Sequence, residues 1–517
     1  MGSSVKSDPR NGAFLGAPAW LFLVFWLLTM ISLRSRAFED PGSLWHIRVG
    51  DWIWQHGRIM ETDPFTFTFA GRPWRPQQWG GECLISLLHR LGGFDTLLLA
   101  LAVLLAALAT WLALRFMRVG LHPMLAGALV LLGLTVASFH FYARPHMATI
   151  VLLGCVMGGI VDFERGRISA NRWWWLVPIT IVWTNLHGGV LGGLATVALA
   201  GAGWSLLALF RRESPIRSWR TFLLLICILG ASGAAMLVNP YGVGMLKSWN
   251  SILSSKLLPQ IVSEHQPVRL SDLNGLAVVG FGIFYILMLA GTLPNWPRVS
   301  WLLPLVWFGL SVHSIRHGPL FCVVALVAMS DLLPHTIWFR WFQKHGSTLV
   351  RTSSEAPVVT CRTWSLPAVV VAICFCLQMA RSPAPVVGAG WVRLDPKEVP
   401  VDLLAPLQDY ARRQPEGTPI FNDANFGGFL IYFTPELRIF MDDRCELYGD
   451  AWMEAYVDMM QRHPERIEEY RAKYGFTRAL VAVNSPMDRY LGNSSHWMEV
   501  SRGQTAVLYA CSPAGGD

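Results

Sequence analysis

Side chains that can do chemistry recur in every second joint, a joint being the loop between two apolar stretches of this chain. A carboxylate can take a proton from an acceptor hydroxyl or amine, and an arginine beside a histidine can compensate the charge of a departing phosphate. These joints are therefore the places in the chain where chemistry could happen. Their polar residues are Glu39, Asp40 and His46, then His140, Arg144 and His146, then Asn185 and His187, then Asn239 and Tyr241, and finally Arg316 and His317.

Asp40 is the predicted catalytic residue, because it follows the first apolar stretch directly and would face a substrate carried in the membrane. It also precedes Pro41, an order typical of a helix cap followed by proline at the first helical position. Apolar residues from Trp45 to Ile53 recur at helical spacing. They predict a helix over residues 43–56 that lies in the membrane interface and packs beneath the C-terminal part of the chain. Asp40 thus has two open interpretations, a general base and a helix cap.

The remaining polar side chains are predicted to bind substrate, and each has a structural alternative. Arg144 can bind a phosphate or extend to lipid headgroups, and Asn185 can contact substrate or close hydrogen bonds across a tight turn. Glu39 and Asp40 are also candidate ligands for a divalent cation, Mg²⁺ or Mn²⁺, as an optional cofactor. The predicted binding set is Glu39, His46, Arg48, Arg144, His146, Asn185, His187, Tyr241, Arg316 and His317.

The elements that must position these residues are membrane spans. The chain has 517 residues, of which 53% are hydrophobic and 15% charged, and its mean hydropathy is +0.39. This composition predicts a multi-pass α-helical membrane protein with about eleven transmembrane helices, because a span needs roughly 20 apolar residues. The stretches are 15–33, 94–114, 121–139, 146–162, 173–187, 189–210, 219–238, 275–293, 299–313, 318–334 and 366–381.

The charges of the short joints predict the topology. Arg and Lys concentrate in the joints that alternate with the polar ones. By the positive-inside rule these basic joints face the cytoplasm. The N-terminus is then cytoplasmic, and the chain beyond residue 381 lies outside the inner or plasma membrane, over the polar joints. The formal net charge of +8 reflects this topology and does not predict a nucleic-acid partner. The basic joints are 115–118, 165–172, 211–220, the segment around Arg298, and 340–362.

Residues 382–517 have the pattern of a soluble extracytoplasmic α/β domain. Residues 1–381 form the predicted transmembrane domain, whose first outer loop covers about 34–93. In the C-terminal domain, Asp442 and Asp443 end a strand, where adjacent acids bind a cation or cap a turn. The pattern predicts helices at 401–414 and 452–474 and strands at 418–422, 429–433, 437–441, 479–483 and 506–510.

The acidic pair Glu39-Asp40 after the first span, followed by an interfacial helix, resembles the GT-C superfamily of integral-membrane glycosyltransferases. Over nearly its whole length the chain also resembles a bacterial family of GT-C-like membrane proteins. The recurring pieces of that family appear as Asp40…Trp45-His46, Thr62–Phe65, Ala143–His146, Trp183–Gly189, Val238–Gly242, Arg316-His317, Gly427-Gly428 and Met441–Gly449.

The resemblance implies a glycosyltransferase that moves a sugar from a polyprenyl-phosphate donor to a lipid, glycan or protein acceptor on the extracytoplasmic face. Members of the superfamily place an essential acid in the first outer loop, a position that Asp40 occupies here. A transporter or flippase and a non-catalytic glycan-binding membrane scaffold remain alternatives. The polar residues gather at one face without an evident inverted repeat, which argues against transport.

Overall fold

The structure, a computed structural model, describes residues 16–346, 348–350 and 359–511. Residue 15 of the first predicted span and part of the 340–362 joint lie outside these residues. The N-terminal part is a bundle of helices, numbered here in chain order. They are α1 (Ala17–Ser32), α2 (Gly42–His56), α3 (Trp79–Arg118), α4 (Pro123–Ala137), α5 (Met147–Glu164), α6 (Leu176–Leu186), α7 (Val190–Leu209), α8 (Trp219–Ala235), α9 (Val243–Leu253), α10 (Leu258–Ile261), α11 (Leu273–Ala290), α12 (Val299–His313), α13 (Gly318–Leu332), α14 (Ile337–Lys344) and α15 (Ser365–Met379).

A helix occupies every predicted span, which confirms a multi-pass helical membrane protein. Among the described residues, seven helical segments are long and apolar enough to cross a membrane. The other four predicted spans correspond to α1, α6, α8 and α12, which have 16, 11, 17 and 15 residues and are shorter than the roughly 20 that a bilayer core requires. The seven segments are Trp79–Arg118, Pro123–His140, Met147–Glu164, Val190–Leu209, Leu273–Ala290, Ile315–His335 and Cys361–Met379.

Helix α13 runs through the centre of the bundle. It is apolar on all sides, as a fully enclosed helix must be, and α3, α4, α5, α11 and α12 pack around it. At one end of the bundle the arginine-rich joints meet acidic side chains. Arg165 Nε lies 2.7 Å from Asp331 Oδ1, and Arg115 Nη2 lies 3.1 Å from Asp162 Oδ1. The basic joints therefore share one end, as the charge pattern predicts, and the polar joints share the other.

The C-terminal part folds into the predicted α/β domain around a five-stranded sheet of order β2-β1-β3-β5-β4. Strands β2, β1 and β3 are parallel, whereas β5 runs antiparallel to both β3 and β4. The elements are α16 (Leu404–Arg412), β1 (Thr418–Asn422), α17 (Gly427–Phe433), β2 (Leu437–Ile439), α18 (Cys445–Tyr448), α19 (Asp450–Gln461), α20 (Ile467–Tyr474), β3 (Arg478–Ala482), α21 (Pro486–Asn493), β4 (Trp497–Arg502) and β5 (Ala506–Cys511).

Two local predictions in this domain are wrong, and one strand has no prediction. Residues 429–433 belong to helix α17 and not to a strand, since a short apolar run cannot be assigned by periodicity alone. The long helix predicted over 452–474 is two helices, α19 and α20, separated at Pro464, which lacks the N–H that a continuous helix needs. Strand β4 was not predicted, because most of its side chains are exposed at the sheet edge and lack an alternating apolar pattern.

The C-terminal domain packs directly on α2. Trp45, Val49 and Ile53 are buried in one apolar cluster with Phe429 and Leu430 of α17. The helix predicted over 43–56 therefore exists and packs beneath the C-terminal domain, but the apolar face expected in the membrane interface contacts protein.

Two backbone contacts connect the C-terminal domain closely to the N-terminal part of the chain. A Cβ at Gly428 would overlap the carbonyl oxygen of Pro41, so a larger residue cannot take its place without a shift of the backbone. The first outer loop also pairs with the edge of the sheet. Phe67 N donates to Ile439 O, and Ile439 N donates to Phe65 O, both at 3.0 Å. The loop therefore covers the outer side of β2.

Candidate active site

Asp40 and Arg144 form an ion pair at the end of the bundle that carries the C-terminal domain. Arg144 Nη1 donates to Asp40 Oδ1 at 2.8 Å, and only 11% of the Asp40 side chain and 18% of the Arg144 side chain are exposed. The second carboxylate oxygen, Asp40 Oδ2, accepts the backbone N–H of Gly42 at 2.8 Å. Asp40 therefore caps the start of α2, as one sequence interpretation predicts, and also holds the arginine.

Asp443 of the C-terminal domain lies beside this pair. Trp45 Nε1, on α2, donates to Asp443 Oδ1 at 2.7 Å. A Cβ built on Gly42 would lie 2.9 Å from both the guanidinium carbon of Arg144 and Asp443 Oδ2. Only a residue without a side chain lets these two charged groups approach the first turn of α2 so closely.

The topology of the sheet explains the position of Asp443. It follows β2, one of three parallel strands, and the carboxyl ends of such strands are where open α/β sheets bind ligands. Burial raises the pKa of Asp443 to about 7, with Arg144 opposing the shift and Asp40 and Asp442 adding to it. The sequence identified Asp443 as an acid at a strand end but not as a member of the site, because its separation from Asp40 along the chain gives no signal of contact.

A second charged group lies next to Arg144. Glu264, in the loop between α10 and α11, has its Oε2 3.9 Å from His140 Nδ1, and Arg316 Nη1 contacts the ring of His265. Burial alone would raise the pKa of Glu264, but the positive charges of His140, Arg316 and Arg144 outweigh it and lower the pKa to about 2. Glu264 is therefore an ionised carboxylate that balances the two arginines. Glu264 is not among the residues that the sequence predicts for the site.

His146 and His187 extend the site along the bundle. His146 Nε2 contacts the carbonyl oxygen of His140 at 2.8 Å, and its ring centre lies 4.5 Å from that of His140 and 6.4 Å from that of His187. His187 Nδ1 accepts the backbone N–H of Gly189 at 3.0 Å. The predicted residues Asp40, Arg144, His146, His187 and Arg316 thus lie in one region.

His46 lies in the protein interior beneath that region. Its Nδ1 is 3.0 Å from Glu82 Oε1, and both side chains are buried. Within the described part of the chain, His46 Nε2 has no hydrogen-bond partner. Burial, with the positive charge of Arg144 adding to it, lowers the pKa of His46 well below its ordinary value. His46 is therefore a neutral imidazole at physiological pH.

Two predicted binding residues have their polar atoms engaged in structural contacts. Asn185 Oδ1 accepts the indole N–H of Trp79 at 2.7 Å, and its amide donates to Val238 O at 2.9 Å. Tyr241 donates its hydroxyl to Pro76 O at 2.9 Å. For both residues, the structural alternative that the sequence leaves open accounts for the contacts.

For Arg48 and His317, the structure shows contacts with other groups. Arg48 Nη1 lies 3.9 Å from Asp51 Oδ2 on the same helix, and His317 Nδ1 lies 3.3 Å from Leu310 O. Burial raises the pKa of Glu39 even though the charge of Arg36 opposes the shift.

Glu39 and Asp40 do not belong to a larger set of metal ligands. Across the described ranges, no group of three or more His, Cys, Asp or Glu side chains is arranged to hold a metal ion. The optional cation at Glu39 and Asp40 stays a prediction.

The arrangement of the bundle and the C-terminal domain matches a known structure. The crystal structure of ArnT from Cupriavidus metallidurans in the apo state, a GT-C glycosyltransferase, aligns with a TM-score of 0.52 over 94% of this chain and 96% of that chain, at 14% identity. This chain has the GT-C fold. The fold agrees with the resemblance to the GT-C superfamily that the sequence around Glu39 and Asp40 shows.

A second ArnT structure from the same organism, bound to undecaprenyl phosphate, aligns with a TM-score of 0.45 at 16% identity, over 97% of this chain and 98% of that chain. No family model matches the sequence, and no curated protein matches it. The identification of the GT-C fold therefore depends on structure, because too few residues are shared for sequence comparison.

Proposed function

We propose that this protein transfers a sugar from a polyprenyl-phosphate donor to an acceptor at the end of the bundle that carries the C-terminal domain. The observation that carries the proposal is the convergence of the Asp40–Arg144 ion pair with Arg316 at that end of an apolar bundle with the GT-C fold. A donor dissolved in the membrane brings its phosphate to the level of these side chains. By the positive-inside rule this end faces the extracytoplasmic side.

Arg144 and Arg316 are proposed to bind the donor phosphate. A guanidinium has five N–H donors in a planar fork, so Arg144 can hold Asp40 and still donate to a phosphate oxygen. As the bond between the sugar and the phosphate breaks, negative charge grows on the phosphate, and the two arginines stabilise it. His146 and His187 border the same region and are proposed to contact the donor.

The transfer itself is a direct displacement. An acceptor oxygen or nitrogen attacks the anomeric carbon, the bond from that carbon to the phosphate oxygen breaks, and its electron pair leaves with the polyprenyl phosphate. A carboxylate of the site takes the acceptor proton, and the configuration at the sugar carbon inverts. Asp40 is the candidate that the sequence supplies. A divalent cation beside it would add positive charge near the phosphate.

Mass spectrometry of envelope glycolipids and glycoproteins tests the proposal. We expect one sugar modification to disappear in a strain that lacks this gene and to return with the wild-type protein. It should not return with Arg144→Ala. A matched control is Arg462→Ala, at a side chain that is 79% exposed in the C-terminal domain, and it should restore the sugar fully. Unchanged glycans, with a lipid-linked sugar accumulating on one side of the membrane, would instead support a flippase.

A further inference from the structure

We propose that Asp443, supplied by the C-terminal domain, is the group that takes the proton from the acceptor, and that Asp40 acts through Arg144 as a positioning residue. The inference rests on the proposed function and assigns the roles of the carboxylates within that site. It makes the C-terminal domain a part of the catalytic machinery.

Asp40 is poorly arranged to receive a proton. Its Oδ1 accepts from Arg144 and its Oδ2 accepts from the backbone N–H of Gly42. Protonation of Asp40 would remove the negative charge that holds the Arg144 guanidinium and would weaken the cap of α2, so both contacts oppose it. These two contacts suit a residue that fixes the orientation of Arg144.

Asp443 is arranged differently. Trp45 orients the carboxylate through one oxygen, Oδ1. The other oxygen, Oδ2, and the guanidinium carbon of Arg144 both lie 2.9 Å from the position that a Cβ on Gly42 would take. Asp443 as a whole residue is partly exposed. Because residue 42 has no side chain, the guanidinium of Arg144 and this carboxylate both pack closely on the first turn of α2.

The electrostatics of Asp443 agree with that role. The charged groups that face it are Arg144 and Asp40 from the bundle and Asp442 from its own domain. Burial and the two neighbouring acids outweigh the attraction of Arg144 and raise the pKa of Asp443 to about 7. A general base works best when its pKa lies near the operating pH, because it is then available as a carboxylate and binds the proton firmly enough to assist.

The proton and the electron pairs balance in one step. The acceptor O–H or N–H bond breaks and its proton moves to Asp443 Oδ2, while the acceptor atom bonds to the anomeric carbon. The bond from that carbon to the phosphate oxygen breaks, and the phosphate beside Arg144 keeps the electron pair. Asp443 then releases the proton to solvent, and the carboxylate is restored.

Asparagine at position 443 is the decisive substitution. The amide keeps the shape of the side chain, and its oxygen can still accept the indole N–H of Trp45, so the domain should remain docked. The assay uses purified full-length protein, a panel of radiolabelled undecaprenyl-phosphate sugars, and lipids and proteins from the gene-deleted strain as acceptors. We expect Asp443→Asn to lower the rate by roughly 10²–10⁴-fold and to bind undecaprenyl phosphate like the wild type in a thermal-shift titration.

A control and a second variant separate chemistry from structure. Asp409→Asn changes a carboxylate in the same domain whose side chain is 51% exposed, and it should keep the wild-type rate. Trp45→Phe removes the hydrogen bond that favours the ionised Asp443, so the acid limb of its pH–rate profile should move to higher pH.

The outcomes are distinct. Absence of transfer by the wild-type protein with every donor would overturn the proposed function and this inference together. If the wild-type enzyme transfers sugar and the Asp443→Asn variant is equally fast, only the inference would be overturned. Loss of undecaprenyl-phosphate binding by Asp443→Asn, or an unmoved acid limb in Trp45→Phe, would also overturn it, because Asp443 would then be a structural residue.

Discussion

The guanidinium of Arg444 lies 2.8 Å from the carboxylate of Asp63, and both side chains are fully buried between the first outer loop and the C-terminal domain. Arg444 also pairs with Asp442 at 2.6 Å and lies over the ring of Trp74, 4.4 Å from its centre. These contacts fix the residue directly after Asp443, and so they fix the position of the proposed base.

Removal of Arg444 should destabilise the docked domain. Arg444→Ala leaves two buried carboxylates without their partner, a change that typically costs about 3–5 kcal/mol. We expect a lower melting temperature of the purified protein and faster proteolysis within the C-terminal domain. Arg462→Ala, at an exposed position, should melt like the wild type. Equal stability of the two variants would mean that the buried network does not hold the domain.

Substitutions of Asp40 should separate its two contacts. Asn and Asp cap helices about equally well, whereas alanine in place of a cap costs about 1 kcal/mol. We therefore expect Asp40→Asn to keep the cap of α2 but to lose at least tenfold in transfer, because the ion pair with Arg144 is gone. Asp40→Ala should lose both activity and stability. A fully active Asp40→Asn protein would contradict any role of Asp40 beyond the cap.

Gly42→Ala should impair activity without unfolding α2. Alanine is the better helix former by about 1 kcal/mol, but its methyl group would lie 2.9 Å from Arg144 and from Asp443 and would push them apart. We expect more than a tenfold loss of transfer with an unchanged melting temperature. Gly201→Ala, where a Cβ has no atom within 4 Å, is the matched control and should stay fully active. Equal activity of the two variants would argue against close packing at Gly42.

Glu264 should make the stability of the protein depend on pH in the acid range. Its pKa in the folded protein is about 2, against an ordinary value of 4.5, so its contribution is fully present above that ordinary value and is lost as the pH falls toward 2. The melting temperature of the wild type should therefore fall over this window more steeply than that of Glu264→Gln. Glu416→Gln, at an exposed residue, should follow the wild-type curve. Parallel curves for Glu264→Gln and wild type would contradict the ion cluster.

Reporter fusions test the orientation. A reporter placed after Arg381 should be active only in the extracytoplasmic space, and one placed near Arg217 only in the cytoplasm, because the basic joints determine the topology. The opposite result would place the proposed site on the cytoplasmic side.

The sequence predicts the bundle well because a long apolar stretch has few alternatives to a membrane helix. It also predicts the shared face of Asp40, Arg144 and Arg316, since alternate joints must lie at the same end. It does not predict Asp443 or Glu264 as partners of Arg144, because their contacts depend on how distant segments dock.

Residue type alone also overstates the size of the site. Asn185 and Tyr241 are polar residues at a membrane boundary, as binding residues often are, but backbone carbonyls and the indole of Trp79 occupy their hydrogen-bonding groups. Whether such a group faces a substrate or a neighbouring loop depends on the packing of the loops, which the local sequence does not determine.

The hydrogen bonds between Phe65, Phe67 and Ile439 have a consequence for how the chain can be divided. A fragment beginning near residue 382 would lose the segment that covers its edge strand and would expose the apolar side of α17. Uncovered strand edges and apolar faces promote association between copies. We therefore expect the C-terminal part to aggregate when it is expressed alone and to stay soluble only beside the first outer loop, so that the boundary in composition is not a boundary in folding.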